Sequence, residues 1–254
     1  MFTAKTPKIL QLSEIYNDRI KELDSILWSS AIVYIDWANV LWWQKKLWRH
    51  IDPKRMYQFL TSFRNIKDIK RYFGTLIGDK ESEQNIGKLT AIGYSMRTKP
   101  VKIMHHSIDI SSIPNLSSPD ILKSFITKWL LYHLNEWSIQ IFNQELQKLN
   151  NQWVISIEEK KCNFDVEIGV DMMLDAERLP DIDTYILWSW DSDFADIVQY
   201  LLSKNKQVYI FCTARRISRE LAESKAKIFD LQKIREFICW SKEIKSNLDK
   251  SFFL

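Results

Sequence analysis

The 254-residue sequence predicts an α/β domain with a mostly parallel sheet flanked by helices, and three observations predict it. Short apolar, β-branched runs such as Ala31-Ile32-Val33-Tyr34-Ile35 and Thr184-Tyr185-Ile186-Leu187-Trp188 alternate with amphipathic helical stretches. The first run ends at Asp36 and the second leads into Asp191-Ser192-Asp193, so acids stand beyond strand carboxyl ends, where such sheets bind ligands. A hydrophobic fraction of 46% and a charged fraction of 27% fit a folded chain and exclude disordered and fibrous classes.

Residues 1–30 are expected to form a helical extension ahead of a domain spanning 31–240. After the first strand comes a basic loop from Gln44 to Arg49, and Asp52-Pro53 then opens a helix that faces the core with Met56, Phe59, Leu60 and Phe63. Asp68 to Ile77 reads as the second strand, Glu81 to Met96 as a helix with a polar face, and Pro100 to Met104 as a shorter third strand. The rhythm then breaks. Ser111 to Pro119 is rich in Ser, Pro and Asn and is expected to be loop, and Asp120 to Asn150 reads as helical, so about 106–160 is expected to be a helical insertion packed on the core. Alternation resumes with a helix from Phe164 to Glu177, a strand Thr184 to Trp188, a helix Asp193 to Leu202 and a strand Val208 to Phe211. A helix-strand-helix finish runs through Ile238, and 241–254 is left as a tail.

Thirty-six basic against thirty-two acidic residues leave a net +4, which permits nucleic-acid binding without indicating it. Cys162, Cys212 and Cys239 are odd in number and lack C-x-x-C spacing, which argues against a disulfide framework and against a zinc knuckle. Met1 to Leu10 has no apolar core before a cleavage site, and no stretch approaches ~20 apolar residues, so a cytoplasmic protein without a membrane segment is the default expectation. One ratio is anomalous. Tryptophan outnumbers glycine 11 to 5, whereas glycine ordinarily supplies about 7% of residues, roughly 18 here. The two counts together approach that number, so some tryptophans are candidates for glycines encoded by UGA.

The chemistry-bearing residues fall in three segments. Ile35-Asp36-Trp37-Ala38-Asn39 puts an acid at a strand end with an amide three residues on; Asp36 can ligate a hard cation, and Asn39 can orient a water or phosphate oxygen. An Asp capping the next helix would look the same. In Ser189-Trp190-Asp191-Ser192-Asp193-Phe194, two acids one residue apart favour a cation between them, although a helix cap followed by a first-turn acid is the competing explanation. The third, Asn163-Phe164-Asp165-Val166-Glu167-Ile168-Gly169-Val170-Asp171, opens a helix. Six helical residues subtend about 600°, so Asp165 and Asp171 cannot share a face. Asp165 is the preferred ligand, and Asp171, among apolar neighbours, reads equally well as a buried acid needing a partner. His105-His106 does not read as a metal pair, because adjacent strand residues point to opposite faces.

In order, hhhhD-x-A-N, K-x-x-x-D-V-x-(aliphatic)-x-V-D-M and S-x-D-S-D-F resemble the NYN domain, the LabA-like branch of the PIN superfamily, over roughly residues 31–104 and 160–235. Thr98-Lys99-Pro100 and the stretch from Arg216 to Leu231 are similar to it as well. The resemblance implies a Rossmann-like PIN/NYN fold, an acidic pocket for Mg²⁺ or Mn²⁺ and endoribonuclease activity. Carried over by position, Asp36, Asp165, Asp191 and Asp193 correspond to its metal-binding and catalytic acids, with Asn39 and Ser189 alongside. Trp37 and Trp190 stand where the family usually has glycine, an indole between Ser189 and Asp191 would crowd that turn, and Trp48 is a third such candidate.

The expected reaction is hydrolysis of RNA phosphodiester bonds assisted by one or two divalent ions. Lys45, Lys46, Arg49, Lys99, Arg215, Arg216 and Arg219 could grip the backbone, Lys99 and Arg216 foremost, and aromatic side chains suit single-stranded RNA. A homodimer is compatible with the insertion. The rival is a catalytically silent NYN-type module binding RNA or protein. A phosphatase nucleophile motif D-x-D is excluded by Asp36-Trp37-Ala38, and the absence of G-x-G-x-x-G excludes a dinucleotide-binding enzyme.

Overall fold

The computed structural model describes residues 1–108, 115–152, 155–213 and 217–243. In chain order the first elements are α1 (Pro7–Ile15), α2 (Asn17–Ile26), β1 (Ala31–Asp36), α3 (Trp37–Leu47), β2 (Arg49–Ile51), α4 (Pro53–Leu60), β3 (Ile66–Thr75) and α5 (Lys80–Ile92). Next come β4 (Ser95–Pro100), β5 (Lys102–Ile108), α6 (Lys128–Leu131), α7 (Glu136–Gln152) and β6 (Ile155–Lys161). The chain continues through α8 (Asp165–Arg178), β7 (Thr184–Trp188), α9 (Ala195–Ser203), β8 (Gln207–Cys212), α10 (Arg219–Glu223), β9 (Lys227–Asp230), α11 (Arg235–Ile238) and β10 (Cys239–Glu243).

Six strands form one sheet in the order β4-β3-β1-β7-β8-β9, with every neighbouring pair parallel. This is the mostly parallel α/β sheet the alternation predicts. β1 and β7 are buried throughout, which is why they read as unbroken apolar runs. They are adjacent, paired from Ala31↔Thr184 to Ile35↔Trp188, so whatever follows each strand emerges beside the other.

Sequence-local devices set the helix boundaries. Thr6 and Pro7 start α1, and Asp52 and Pro53 start α4, each capping side chain accepting a backbone N–H of the first turn. α5 stops at Ile92, short of the expected Met96, because Gly93 turns left-handed at φ 119°; a Cβ there would lie 2.2 Å from the Tyr57 hydroxyl. The chain released there forms β4, so the strand expected at Pro100 to Met104 is divided: β4 joins the main sheet and β5 begins a separate ribbon. The expected loop from Gln44 to Arg49 is instead the last turn of α3 followed by β2, held by the buried Gln44 side chain accepting from the Ile51 amide at 2.8 Å.

The chain divides into two compact units, Met1–Pro100 with Cys162 onward, and Val101–Lys161. The first contains the parallel sheet, and its core includes Val33, Ile35, Met172, Ile186, Phe194 and Phe211. In the second, β5 and β6 pair antiparallel from Lys102↔Lys161 to Ile108↔Ile155. There α7 buries Ile139 and Asn143, and the Asn143 amide donates to the carbonyls of Leu116 and Ser118 at 2.6 and 2.9 Å, fastening the polar loop. Among the described residues no helix is long and apolar enough to cross a membrane.

Candidate metal centre

Asp36, the last residue of β1, is buried and caps α3, one carboxylate oxygen accepting from the Asn39 amide at 3.4 Å. Its other oxygen accepts from the Asn39 side-chain amide at 2.5 Å and lies 3.5 Å from the Ser189 hydroxyl. Asn39 also donates to Ser189 Oγ at 2.8 Å, and Ser189 Oγ accepts from the Asp191 amide at 3.2 Å. One polar chain therefore links the ends of β1 and β7. Asp191 in turn caps a short 3₁₀ turn, Ser192–Phe194, by accepting from the Asp193 amide at 3.3 Å. The capping roles at Asp36 and Asp191 are thus real, and each uses only part of its carboxylate.

Asp165 enters from the first turn of α8. One carboxylate oxygen from each of Asp165, Asp191 and Asp193 lies within 4.8 Å of the others. Asp165 Oδ2 is buried and has no hydrogen-bond partner. Burial, opposed by a hydrogen bond from the Asn163 side chain and aided by the nearby charges of Asp191, Asp36 and Asp193, pushes the Asp165 carboxyl up to about 6. Burial also raises Asp36, against the lowering effect of its Asn39 hydrogen bonds. Like-charged oxygens held this close, one of them without a donor, are costly unless a cation neutralises them, and an all-oxygen carboxylate set suits Mg²⁺ or Mn²⁺. The three clustered acids fit such an ion, with Asp36 beside them and already held by Asn39 and Ser189.

The rest of α8 behaves differently. Glu167, Asp171 and Asp175 recur every four residues and share a face. Lys99 Nζ lies 2.6 Å from Glu167, and Arg97 Nη2 lies 3.1 Å from Asp171. Asp171 also accepts from the Tyr72 hydroxyl at 2.8 Å, while Asp175 takes Lys70 and the Tyr34 hydroxyl, each at 2.5 Å. Asp171 is therefore a partnered buried acid, on a different side of α8 from the cluster. Glu167 and Asp175 are not singled out by the sequence, although the four-residue acidic spacing opposite alternate basic residues of β4 is a usable signal, and Lys99, expected at the nucleic-acid backbone, pairs with Glu167.

The cleft beside Asp191 is open, about 380 Å³, and lined by Trp190, Asp191, Ser192, Ile217 and Ser218. Trp37 does not line it. Its ring stacks 3.4 Å from the buried guanidinium of Arg71, which neighbours Tyr72 in β3 and so faces away from α8. Among the basic candidates, Lys46 is exposed, Arg49 pairs with Glu236, and Arg219 pairs with Glu223 at 2.6 Å. Arg215 and Arg216 lie outside the described residues, as do the side chains of Lys45, His105 and His106.

The family model for the NYN domain matches residues 119–234, which takes in Asp165, Ser189, Asp191 and Asp193. "Low amplitude and bright protein LabA" from Synechococcus elongatus is 23% identical over 211 residues, covering 83% of this chain and 88% of its own. Among solved structures, a protein of unknown function from Vibrio parahaemolyticus is similar with a TM-score of 0.48 and 18% identity, over 80% of this chain and 94% of that one.

Proposed function

We propose that this chain, which is similar to the NYN domain over residues 119–234 and to LabA over 83% of its length, is a metal-dependent endoribonuclease acting on single-stranded RNA. The observation that carries the proposal is the convergence of Asp165, Asp191 and Asp193, one with an orphaned buried oxygen, at the carboxyl edge of the sheet. Those three residues would hold a Mg²⁺ or Mn²⁺ ion, which when bound supplies positive charge to a scissile phosphate and makes a nearby water more acidic.

The chain's own groups have separate tasks. Asp36 is fixed by Asn39 and Ser189, so its carboxylate presents a constant face to the cluster and can accept a proton from an attacking water. The Asn39–Ser189 bridge ties the two strand ends, keeping Asp36 and Asp191 at a constant spacing. The open cleft admits an extended strand more readily than a duplex, and an aromatic wall at Trp190 can stack on an unpaired base.

The test is cleavage of labelled single-stranded RNA in Mn²⁺ by the chain and by its Asp191→Asn variant. Cleavage by the first alone is expected, and equal cleavage by both removes the proposed centre. One observation favours a second reading, a non-cleaving module that binds RNA: Trp190 forms a wall of the cleft beside Asp191. RNA retention without cleavage, whatever the metal, would select it.

A further inference from the structure

Two residues other than glycine hold a positive φ among those described, Asn205 at 59° and Trp48 at 57°. Asn tolerates that region; a bulky side chain there is an outlier. Trp48 ends α3 in the left-handed conformation (ψ 20°), the place where helices most often use glycine. Nor does packing compensate, since the residue is 59% exposed.

Five more tryptophans lie on the surface, whereas Trp37 is buried against Arg71. Trp28, Trp42, Trp129, Trp137 and Trp240 are all exposed, from 46% to 70%, and they scatter over both units, although tryptophan is highly buried on average. Trp190 lines the cleft beside Asp191, its ring edge-on to Trp43 with centroids 5.8 Å apart. Together with eleven tryptophans against five glycines, these features have one economical cause.

We infer that the polypeptide made in its native cell carries glycine at positions 48 and 190 and at the other exposed tryptophan positions, its gene reading UGA as glycine. At position 48, glycine relieves the left-handed strain. At position 190, it removes one wall of the cleft and opens Asp191 to a phosphate; this second consequence rests on the nuclease reading, and the first does not.

Sequencing the gene and the native peptides tests the inference directly. UGA codons at 48 and 190 with glycine in the native peptides are expected; UGG codons, or tryptophan in the native peptides, overturn it. In the chain with tryptophan at these positions, Trp48→Gly is expected to raise the melting midpoint by about 4 °C and Trp48→Ala by much less. An equal gain from both substitutions would overturn the backbone argument. Trp190→Gly is expected to raise RNA cleavage in Mn²⁺ at least about tenfold. If glycine is found at both positions and cleavage stays absent, the nuclease reading fails while the recoding stands.

Discussion

Helix α8 carries two kinds of acid, and the contrast between them separates structure from chemistry. From Glu167 through Asp171 to Asp175, every carboxylate meets a cation, and two also accept from tyrosine hydroxyls, so the charges fasten the helix to β1, β3 and β4. Two residues before Glu167, Asp165 meets two other acids and no cation; Asn163 is its side-chain hydrogen-bond partner, and its buried Oδ2 has no donor. Two environments within one helix separate the carboxylates that hold the fold from those left free to hold something else. Sequence neighbourhood says little about this difference; the side of the helix decides it.

The largest expected effect tests the unpartnered side. Asp193→Asn should reduce RNA cleavage at least about 10²-fold, and should raise thermal stability slightly in chelator because one repelling charge is gone. Cleavage kinetics paired with a melt would show both; an unchanged rate would end the distinction. Breaking the partnered side should do the opposite. Asp171→Ala leaves the Tyr72 hydroxyl and Arg97 without their acceptor and should cost about 2 kcal/mol in denaturant unfolding. The affinity for Mn²⁺ should stay the same, and a large loss of it would place Asp171 in the metal site.

pH sharpens the comparison further. The Asp165 carboxyl sits near 6 in the fold against an ordinary value of 3.8, so the folded state favours its protonated form. That contribution to stability is complete below about pH 4 and is lost as pH rises through 6. In chelator, melting temperatures of the chain minus those of Asp165→Asn should therefore fall across that window. With Mn²⁺ present the trend should reverse, since the ion requires the ionised carboxylate. The smallest effect belongs to Lys99→Ala: its pair with Glu167 is about one-third exposed, and about 0.5 kcal/mol of stability is expected to go. An accompanying rise in KM for RNA would give Lys99 a role in substrate binding too.

Much of the fold was legible because its signals are local. The apolar runs ending at Asp36 and leading to Asp191 located the two central strands, and α8 begins at Asp165 where Phe164 was expected. The three acidic segments could be named because each directly precedes or opens a helix. What escaped detection depends on distant contacts. Asp171 could not be assigned from its neighbours, because its partners Tyr72 and Arg97 lie on β3 and β4. The last turn of α3 was hidden for a similar reason, since it depends on Gln44 reaching the amide of Ile51 across a residue in an unusual conformation. Trp37 follows Asp36 in sequence, yet its ring packs on Arg71 on the other face, as strand alternation across β3 dictates.

The ribbon of β5 and β6 bears on how this chain tolerates change. The main unit is interrupted after Pro100 and resumes at Cys162, and the Cys162 thiol lies 4.0 Å from the Lys99 carbonyl, so the two cut ends meet. Pairing of Lys102 with Lys161 begins almost at once, so the excursion is zipped shut at its base. The entropy of closing a loop grows only slowly with its length, by about 0.6 kcal/mol per doubling, and here the ribbon confines even that cost to the far side of the zipper. Changes in the length of segment 101–161 are therefore expected to leave the acids in place, and a short turn joining Pro100 to Cys162 is where an engineer would cut.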